Sequence, residues 1–127
     1  MSTILGNPSI YAPGADITAQ ATAAVTARRF VAISGDRVPG GNIAVAPAPA
    51  GARSFGVAAH DGATGQLVTV VRGASRVVKV AAGAAITAGA EVEVGAAGKA
   101  IAKASGIAVG YAVTGAANHT DAEISLY

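Results

Sequence analysis

Two histidines that lie next to aspartates are the side chains in this sequence best suited to catalysis. His60 is followed directly by Asp61 at a predicted turn, and His119 lies two residues before Asp121 in the run NHTDAE. A catalytic triad would need a serine within hydrogen-bonding reach of an oriented imidazole. No GxSxG motif marks any serine as such a nucleophile, so we interpret both histidines as residues of solvated loops. The sequence predicts no catalytic residues, and a small hydrolase built on either histidine is only a third hypothesis for the function.

Residues that could hold a metal ion or a cofactor are equally few. The chain contains no cysteine, so neither a disulfide framework nor a thiolate zinc site is possible. The histidines and aspartates named above lack a known ligand spacing. Glu91 and Glu93 share one face of a predicted strand, about 7 Å apart, which is also the arrangement of any solvent-facing strand. No glycine-rich phosphate-binding motif is present, so we predict no metal site and no cofactor.

Basic residues are too few and too scattered for a nucleic-acid-binding protein. Nine lysines and arginines against seven acidic residues give a net charge of +2, which is too small for a phosphate-binding surface. Arg72, Arg76 and Lys79 lie close together and could contact an acidic partner, but a solvated hairpin tip explains them more simply. No apolar run reaches the roughly 18 residues of a membrane span, and the first residues lack the pattern of a secretory signal. We expect a protein made and used without secretion, with no direct contact to nucleic acid or membrane.

Short strands punctuated by glycine dominate the rest of the sequence. In the stretch Val77–Ala102, β-branched residues alternate with polar or small ones, and glycine recurs where the chain must turn. Comparable patterns predict further strands over 25–34, 42–46, 54–59, 66–72, 76–81, 106–114 and 122–126. Gly73-Ala74-Ser75 fits a three-residue hairpin loop between the strands 66–72 and 76–81. About ten short strands without a helical pattern predict an all-β fold, a small β-barrel or β-sandwich-like domain.

The core of such a domain should be thin. Hydrophobic residues make up 52% of the 127 residues, but about a quarter of the chain is alanine, which buries little apolar area. Aromatic residues contribute 4% and tryptophan is absent, so the core depends on Val, Ile and Leu with Phe30, Phe55 and Tyr111. A domain of this kind gains stability when it buries a face against copies of itself or against a partner. We therefore expect oligomerisation or docking.

The first residues predict an extended arm. The segment Met1–Ala15 contains prolines and glycines and shows no strand or helix period, yet it carries the apolar residues Ile4, Ile10 and Tyr11. We predict a loop over 16–24, so that residues 1–24 form the arm and a lead-in loop and residues 25–127 form a single β-barrel domain. The sequence leaves open whether the arm packs on its own domain or on a neighbour.

Two segments resemble one known protein family. The first is Tyr11–Gly35, in which a PG-x-D-x-T opening is followed by the strand pattern V-T-x-(R/K)-R-F-V-x-I-S-G. The second is Gly83–Ala102, GAAITAGAEVEVGAAGKAIA, followed by GIAVGYAVTGA at 106–116. Both are similar to the small capsid decoration proteins, or capsid cement proteins, of tailed bacteriophages, and together they cover well over half of the chain.

The resemblance implies a β-rich domain with an N-terminal arm, often a homotrimer, on the outer surface of the capsid in the virion. Proteins of that family bridge neighbouring subunits of the phage major capsid protein and stabilise the shell against the pressure of the internal DNA. The resemblance also implies synthesis in the host cytoplasm.

The residues themselves suggest where contact would occur. We predict that Ile4, Ile10 and Tyr11 of the arm contact the capsid or a neighbouring subunit, and that Arg28 and Arg29 in the first strand point at an interface. An extended arm of about fifteen residues reaches roughly 50 Å, and strand addition to a capsid sheet is a natural docking mode. The alternative is a virion-surface module that binds host glycans or cell wall, although sugar stacking uses exposed aromatic residues, of which the chain has few to spare.

Overall fold

The computed structural model describes residues 8–127, in which regular structure consists of ten β-strands and one short 3-10 turn. No residue in this part of the chain lies in an α-helix. The prediction of an all-β fold is confirmed. The strands form two units, a closed barrel followed by a five-stranded sheet.

The barrel contains the first five strands in the spatial order β1-β3-β2-β4-β5. Their bounds are Ile17–Ala21 for β1, Phe30–Ile33 for β2, Ile43–Pro47 for β3, Gly56–Ala58 for β4 and Leu67–Val71 for β5. Strand β1 runs parallel to β3 and antiparallel to β5, which closes the barrel, and the other neighbours are antiparallel.

The second sheet has the order β6-β10-β9-β7-β8, with all neighbours antiparallel. The bounds are Val77–Ala81 for β6, Glu91–Val94 for β7, Ala100–Ala102 for β8, Gly110–Thr114 for β9 and Asp121–Leu126 for β10. The 3-10 turn Ala96–Gly98 connects β7 to β8. A single bridge between Ala82 and Ala100 joins the two ends of the sheet, and the Gly83 N–H donates to the Ala100 carbonyl oxygen at 2.8 Å. The second sheet therefore nearly closes on itself.

One hydrophobic core connects the barrel with the second sheet. Phe30 and Val57 of the barrel belong to the same buried cluster as side chains from every strand of the second sheet: Val80, Val92, Ala100, Ala112 and Ile124. A second cluster, built mainly of valine and alanine, fills the barrel itself. Phe30 is the largest side chain in the described chain that is fully buried. The aromatic ring therefore supplies bulk where the two units meet.

Backbone hydrogen bonds join the same two units along a line that we call the seam, formed by Gly51, Val94, Gly106 and Ile107. The Gly51 N–H donates to the Val94 carbonyl oxygen at 2.7 Å, and the Ile107 N–H donates to the Gly51 carbonyl oxygen at 3.1 Å. The chains approach so closely that a Cβ atom on Gly106 would lie 2.7 Å from the Gly51 Cα. Position 106 therefore requires glycine, because a side chain would collide with backbone.

The predicted loop over 16–24 is wrong for Ile17–Ala21, which forms β1. Residues 17, 19 and 21 are buried, whereas Thr18 is exposed. This is the ordinary alternation of a half-buried strand, but alanine at two of the three inward positions hides it in the sequence.

The predicted strand over 25–34 is shorter than expected. Val25 forms only an isolated bridge to Gly62, and regular pairing begins at Phe30. Arg28 has a left-handed backbone conformation with φ of 58°, which interrupts an extended chain. This interruption is invisible in the sequence, because arginine is not a residue that marks such a conformation.

The predicted hairpin between the strands 66–72 and 76–81 is also wrong. Strands β5 and β6 exist close to the expected positions, but β5 pairs with β1 and β4, whereas β6 pairs with β10. The linker carries the chain from the barrel to the second sheet, where the Ser75 N–H donates to the Leu126 carbonyl oxygen at 2.7 Å. Both strands are rich in valine, and neither carries a pattern that specifies its neighbour.

Replacing Phe30 by alanine should lower the free energy of unfolding by about 3–5 kcal/mol, because the cavity would open in the core shared by both units. The control is Ile33→Ala in the same strand. The Ile33 side chain is 52% exposed, and its truncation should change stability by no more than about 0.5 kcal/mol. Urea unfolding followed by circular dichroism measures both values. Equal losses in the two variants would contradict the position of Phe30 in the core.

Gly106→Ala should lower the free energy of unfolding by about 1–3 kcal/mol, because the added methyl group forces the seam apart. Gly35→Ala is the matched control, since a Cβ atom at Gly35 would meet nothing within 4 Å. Urea unfolding of both variants provides the test. The close approach at the seam is refuted if Gly106→Ala is as stable as the control.

Candidate functional site

The two histidines occupy exposed turns, as the sequence predicts. The His60 Nδ1 lies 2.9 Å from the Asp61 carbonyl oxygen, and the Nε2 accepts the Thr69 N–H at 3.2 Å. The Asp61 carboxylate accepts the Ala27 N–H at 2.8 Å, not a proton from the imidazole. These hydrogen bonds hold the turn between β4 and β5 in place. They do not arrange the acid–base pair that a triad needs.

The two glutamates of β7 have different environments. Glu91 is exposed, and its Oε2 accepts the Tyr127 O–H at 2.7 Å. Glu93 is only 5% exposed and accepts the Ala104 N–H through Oε1. The expectation that both share a solvent-facing side is wrong for Glu93, because backbone at Ala104 and Gly106 covers it. The buried carboxylate therefore belongs to the structure of the seam.

Among residues 8–127, no three His, Asp or Glu side chains meet in a group that could hold a metal ion. A helix with the length and apolar character needed to cross a membrane is also absent from the described residues.

Tyr111 and Tyr127 form an exposed aromatic pair on the second sheet. Their ring centroids are 6.2 Å apart. The hydrogen bond to Glu91 raises the pKa of Tyr127, because ionising the phenol would break that bond and place a negative charge beside the carboxylate. The expectation that Tyr111 contributes to the core is wrong, since in β9 it alternates with the buried Ala112 and points to the solvent side.

The base of the arm is held in place by the linker between β5 and β6. Arg76 pairs with the Asp16 carboxylate, and its Nη1 also donates to the Gly14 carbonyl oxygen at 3.1 Å. Gly14 lies directly against Gly73, where an added Cβ would come within 2.6 Å of the Gly14 Cα. The arm therefore leaves the barrel at a fixed point, where its backbone is in close contact with the linker between β5 and β6.

Two of the three predicted contact residues of the arm are exposed. The Ile10 side chain is 73% exposed and Tyr11 is exposed as well. Residues 8–14 belong to no strand. Exposed apolar side chains close together on one segment are typical of a surface that contacts a partner. Ile4, the third predicted residue, lies outside the described residues.

The two predicted contact arginines precede β2 and do not lie within it. Arg28 forms an ion pair with Asp121 of β10 at 3.4 Å and remains largely exposed. Arg29 is half-buried beside it. No hydrogen bond or ion pair within residues 8–127 joins either arginine to Ile10 or Tyr11. The predicted contact residues thus belong to two places, the arm and the turn before β2.

Arg72, Arg76 and Lys79 have three separate roles, because the hairpin tip expected to group them does not exist. The Arg72 guanidinium stacks over the Phe55 ring, 4.4 Å from its centroid, and its Nε donates to the Phe55 carbonyl oxygen at 2.9 Å. Arg76 holds the arm, and Lys79 lies exposed on β6 opposite Glu123.

Two adjoining depressions, which we call the arginine groove, are a feature that the sequence does not reveal. The larger one has a volume of about 510 Å³ and lies between the base of the arm, the barrel and the second sheet. The smaller one has a volume of about 400 Å³ and is lined by the barrel. They share a wall formed by Arg53, Phe55 and Arg72. Ile107 and Tyr127 line the larger depression. Ile107 and Tyr127 come to lie beside this barrel wall because the seam joins the two units.

Comparison with known proteins identifies the family. The family profile described as phage cement protein matches residues 11–126. The chain belongs to this family. The resemblance drawn from the sequence is thereby confirmed, and with it a structural role in the virion, in association with the capsid. Cement proteins are structural components of phages and not a class of enzymes. None of the curated proteins matches the chain.

A solved structure from another phage head is similar to this cement protein. It is the head fiber gp8.5 N base in bacteriophage phi29, with a TM-score of 0.75 and 26% sequence identity. The similarity covers 89% of this chain and 93% of that chain. Because so much of the chain is covered, the similarity includes both the barrel and the second sheet.

Tyr127 should titrate above its ordinary pKa, and Glu91→Gln should return its pKa toward the ordinary value. The substitution removes the negative charge that opposes ionisation of the phenol. An NMR pH titration of the Tyr127 ring signals measures the shift. Glu123→Gln is the control, since Glu123 makes no hydrogen bond to Tyr127 within the described residues. An identical Tyr127 pKa in wild type and Glu91→Gln would rule out the contact.

Proposed function

We propose that this cement protein decorates the outer surface of the phage capsid and stabilises the shell by bridging neighbouring major capsid protein subunits. It is made in the host cytoplasm and acts as a structural part that catalyses no reaction. The observation that carries the proposal is the exposed arm on a chain of the cement family. Ile10 and Tyr11 present apolar surface to solvent, while Arg76 fixes the point at which the arm leaves the barrel.

The strand topology supports the arm as the docking segment. A closed barrel has no unpaired strand edge, and the bridge between Ala82 and Ala100 joins the ends of the second sheet. Backbone pairing with another protein therefore has little opportunity on the folded units. Residues 8–14 precede the barrel and belong to no strand, which suits addition of the arm to a sheet of the capsid protein.

Arg28 and Arg29 supply a second contact in this proposal. The Arg28 side chain remains largely exposed in its ion pair with Asp121. An exposed ion pair is worth little to stability in water. The Arg28 guanidinium is therefore available to an acceptor on a capsid subunit at small cost to the stability of the fold.

Co-sedimentation with capsids tests the bridging function. The protein should pellet with expanded, DNA-filled capsids that lack it, and should not bind isolated capsid protein monomers. The double variant Ile10→Ser, Tyr11→Ser should bind at least about tenfold more weakly, because it removes the apolar surface of the arm. Leu67→Ser is the matched control, since Leu67 is 53% exposed on the barrel strand β5.

Two results would count against this assignment. Failure of the wild-type protein to sediment with capsids under any condition would refute the decoration function. Full binding by the arm variant would refute the role of Ile10 and Tyr11 while leaving decoration intact.

We also propose that the protein is a homotrimer on the capsid. The thin core, in which alanine and valine predominate, supports burial of further surface between copies. A cryo-EM map of decorated capsids should show threefold density at the local threefold positions of the shell. Single copies spaced apart from one another in such a map would contradict the trimer.

A virion-surface module that binds host glycans or cell wall is the alternative. One observation favours it: Tyr11, Tyr111 and Tyr127, all the tyrosines of the chain, are exposed. Exposed aromatic rings can stack on sugars. A glycan array would support this function by hits that disappear in Tyr111→Ala and Tyr127→Ala, and an array without hits would reject it.

A further inference from the structure

We propose that the arginine groove binds an acidic, partly apolar segment of another protein and that, on the capsid, this segment belongs to the capsid shell. The second clause rests on the decoration function proposed above. The first depends only on the chemistry of the groove, namely the side chains of Arg53, Phe55 and Arg72 and the apolar residues beside them.

Arg72 is held in position for a ligand by its neighbours. Stacking on the Phe55 ring and the hydrogen bond from Nε to the Phe55 carbonyl oxygen fix the plane of the guanidinium. Its two Nη groups donate to no residue within 8–127. A guanidinium with fixed orientation and free Nη groups matches the two oxygens of a carboxylate.

Arg53 adds a second positive charge to the same wall. Its side chain is exposed and makes no hydrogen bond or ion pair with any described residue. No acidic residue lines either depression. No acidic side chain in the lining compensates the positive charge of the two arginines, and an anionic partner would complement it.

A second copy of this chain is poorly suited to supply that negative charge. Four of the seven acidic side chains are already engaged: Asp16 with Arg76, Asp61 with Ala27, Glu91 with Tyr127 and Glu93 with Ala104. Of the two on β10, Asp121 forms an exposed ion pair with Arg28 and Glu123 lies opposite Lys79 of β6. Asp36 is a single carboxylate in the loop after β2. The chemistry thus favours a different protein as the partner.

The rest of the lining favours a peptide over a nucleic acid. Ile107 and Tyr127 in the larger depression, and Ile33 in the smaller one, present exposed apolar or aromatic surface. The larger volume lies within the roughly 300–1,000 Å³ typical of ligand sites. Two arginines beside apolar side chains suit carboxylates that alternate with apolar residues. A nucleic acid of uniform charge would need a longer row of cations.

NMR titration with short peptides tests the groove directly. The ¹⁵N-labelled full chain is titrated with the peptide GELDLEG and with its neutral counterpart GQLNLQG. The acidic peptide should shift backbone amide signals of residues 53–56, 72–74 and 107–109, and the neutral peptide should not. Sodium chloride should weaken the binding, because the interaction depends on charge. A single-stranded oligonucleotide is titrated in parallel.

Charge-reversal variants link these shifts to Arg53. Arg53→Glu should weaken binding of the acidic peptide, and of capsids, by about tenfold or more. Arg37→Glu is the matched control, because Arg37 is exposed in the loop between β2 and β3 and, among the described residues, donates only to the Gly41 carbonyl oxygen, at 2.8 Å. Arg72→Lys, which keeps the charge but loses the planar fork, should also weaken binding. Thermal unfolding checks that each variant is folded.

Each outcome decides one part of the inference. Peptide shifts that are lost in Arg53→Glu support the groove even if the protein does not bind capsids, in which case only the decoration function fails. Wild-type binding to capsids that persists in Arg53→Glu overturns the groove as a capsid contact and leaves decoration intact. The absence of peptide shifts up to the solubility limit, or shifts with the oligonucleotide alone, overturns the peptide-binding groove. A tighter self-association that depends on Arg53, measured by light scattering, would replace the foreign partner by a second copy.

Discussion

The joining of the barrel to the second sheet along the seam is the constraint on which the rest of the structure depends. A cluster of valine and alanine fills the barrel, and Phe30 of the barrel completes the core under the second sheet. Backbone hydrogen bonds through Gly51 fix the spacing of the two units. This spacing is possible only because Gly106 lacks a side chain, since a Cβ atom there would lie 2.7 Å from the Gly51 Cα.

The all-β architecture could be predicted from local patterns, whereas the pairing of strands could not. Alternating valines predict β5, β6 and β7 near their observed positions, because their β-branched side chains suit a pleated surface. Strand β1 was not predicted, because alanine at the inward positions 19 and 21 makes the alternation of apolar and polar residues hard to see in the sequence. The false hairpin has a different cause, since a glycine between two valine-rich strands does not reveal whether the chain turns back or crosses to another sheet. Pairing is decided by contacts between distant segments, and local sequence does not encode them.

For the candidate site too, some features could be predicted from the sequence and others could not. The absence of a strand over residues 8–14 follows from a proline- and glycine-rich segment with no strand period. The exposure of Ile10 and Tyr11 does not follow from the sequence, which left open whether the arm packs on its own domain. The arginine groove is different, because Ile107 reaches the wall that Arg53 and Arg72 form on the barrel only through the joining of the two units at the seam. Glu93 illustrates the opposite error, since a charged residue at an outward-facing position became buried when backbone at Ala104 covered it. Charge patterns therefore indicate surface chemistry only where no later segment packs over them.

The near-closure of the second sheet affects how such a protein behaves at high density. In the decoration proposed above, many copies of the chain would be held close together on one surface, where strand edges that recruit further strands would grow into fibres. In this chain the barrel is closed and the ends of the second sheet meet at Ala82 and Ala100. Backbone pairing between folded units therefore has little chance to propagate from copy to copy. The proposed layer of cement protein could therefore cover the capsid surface without growing beyond it.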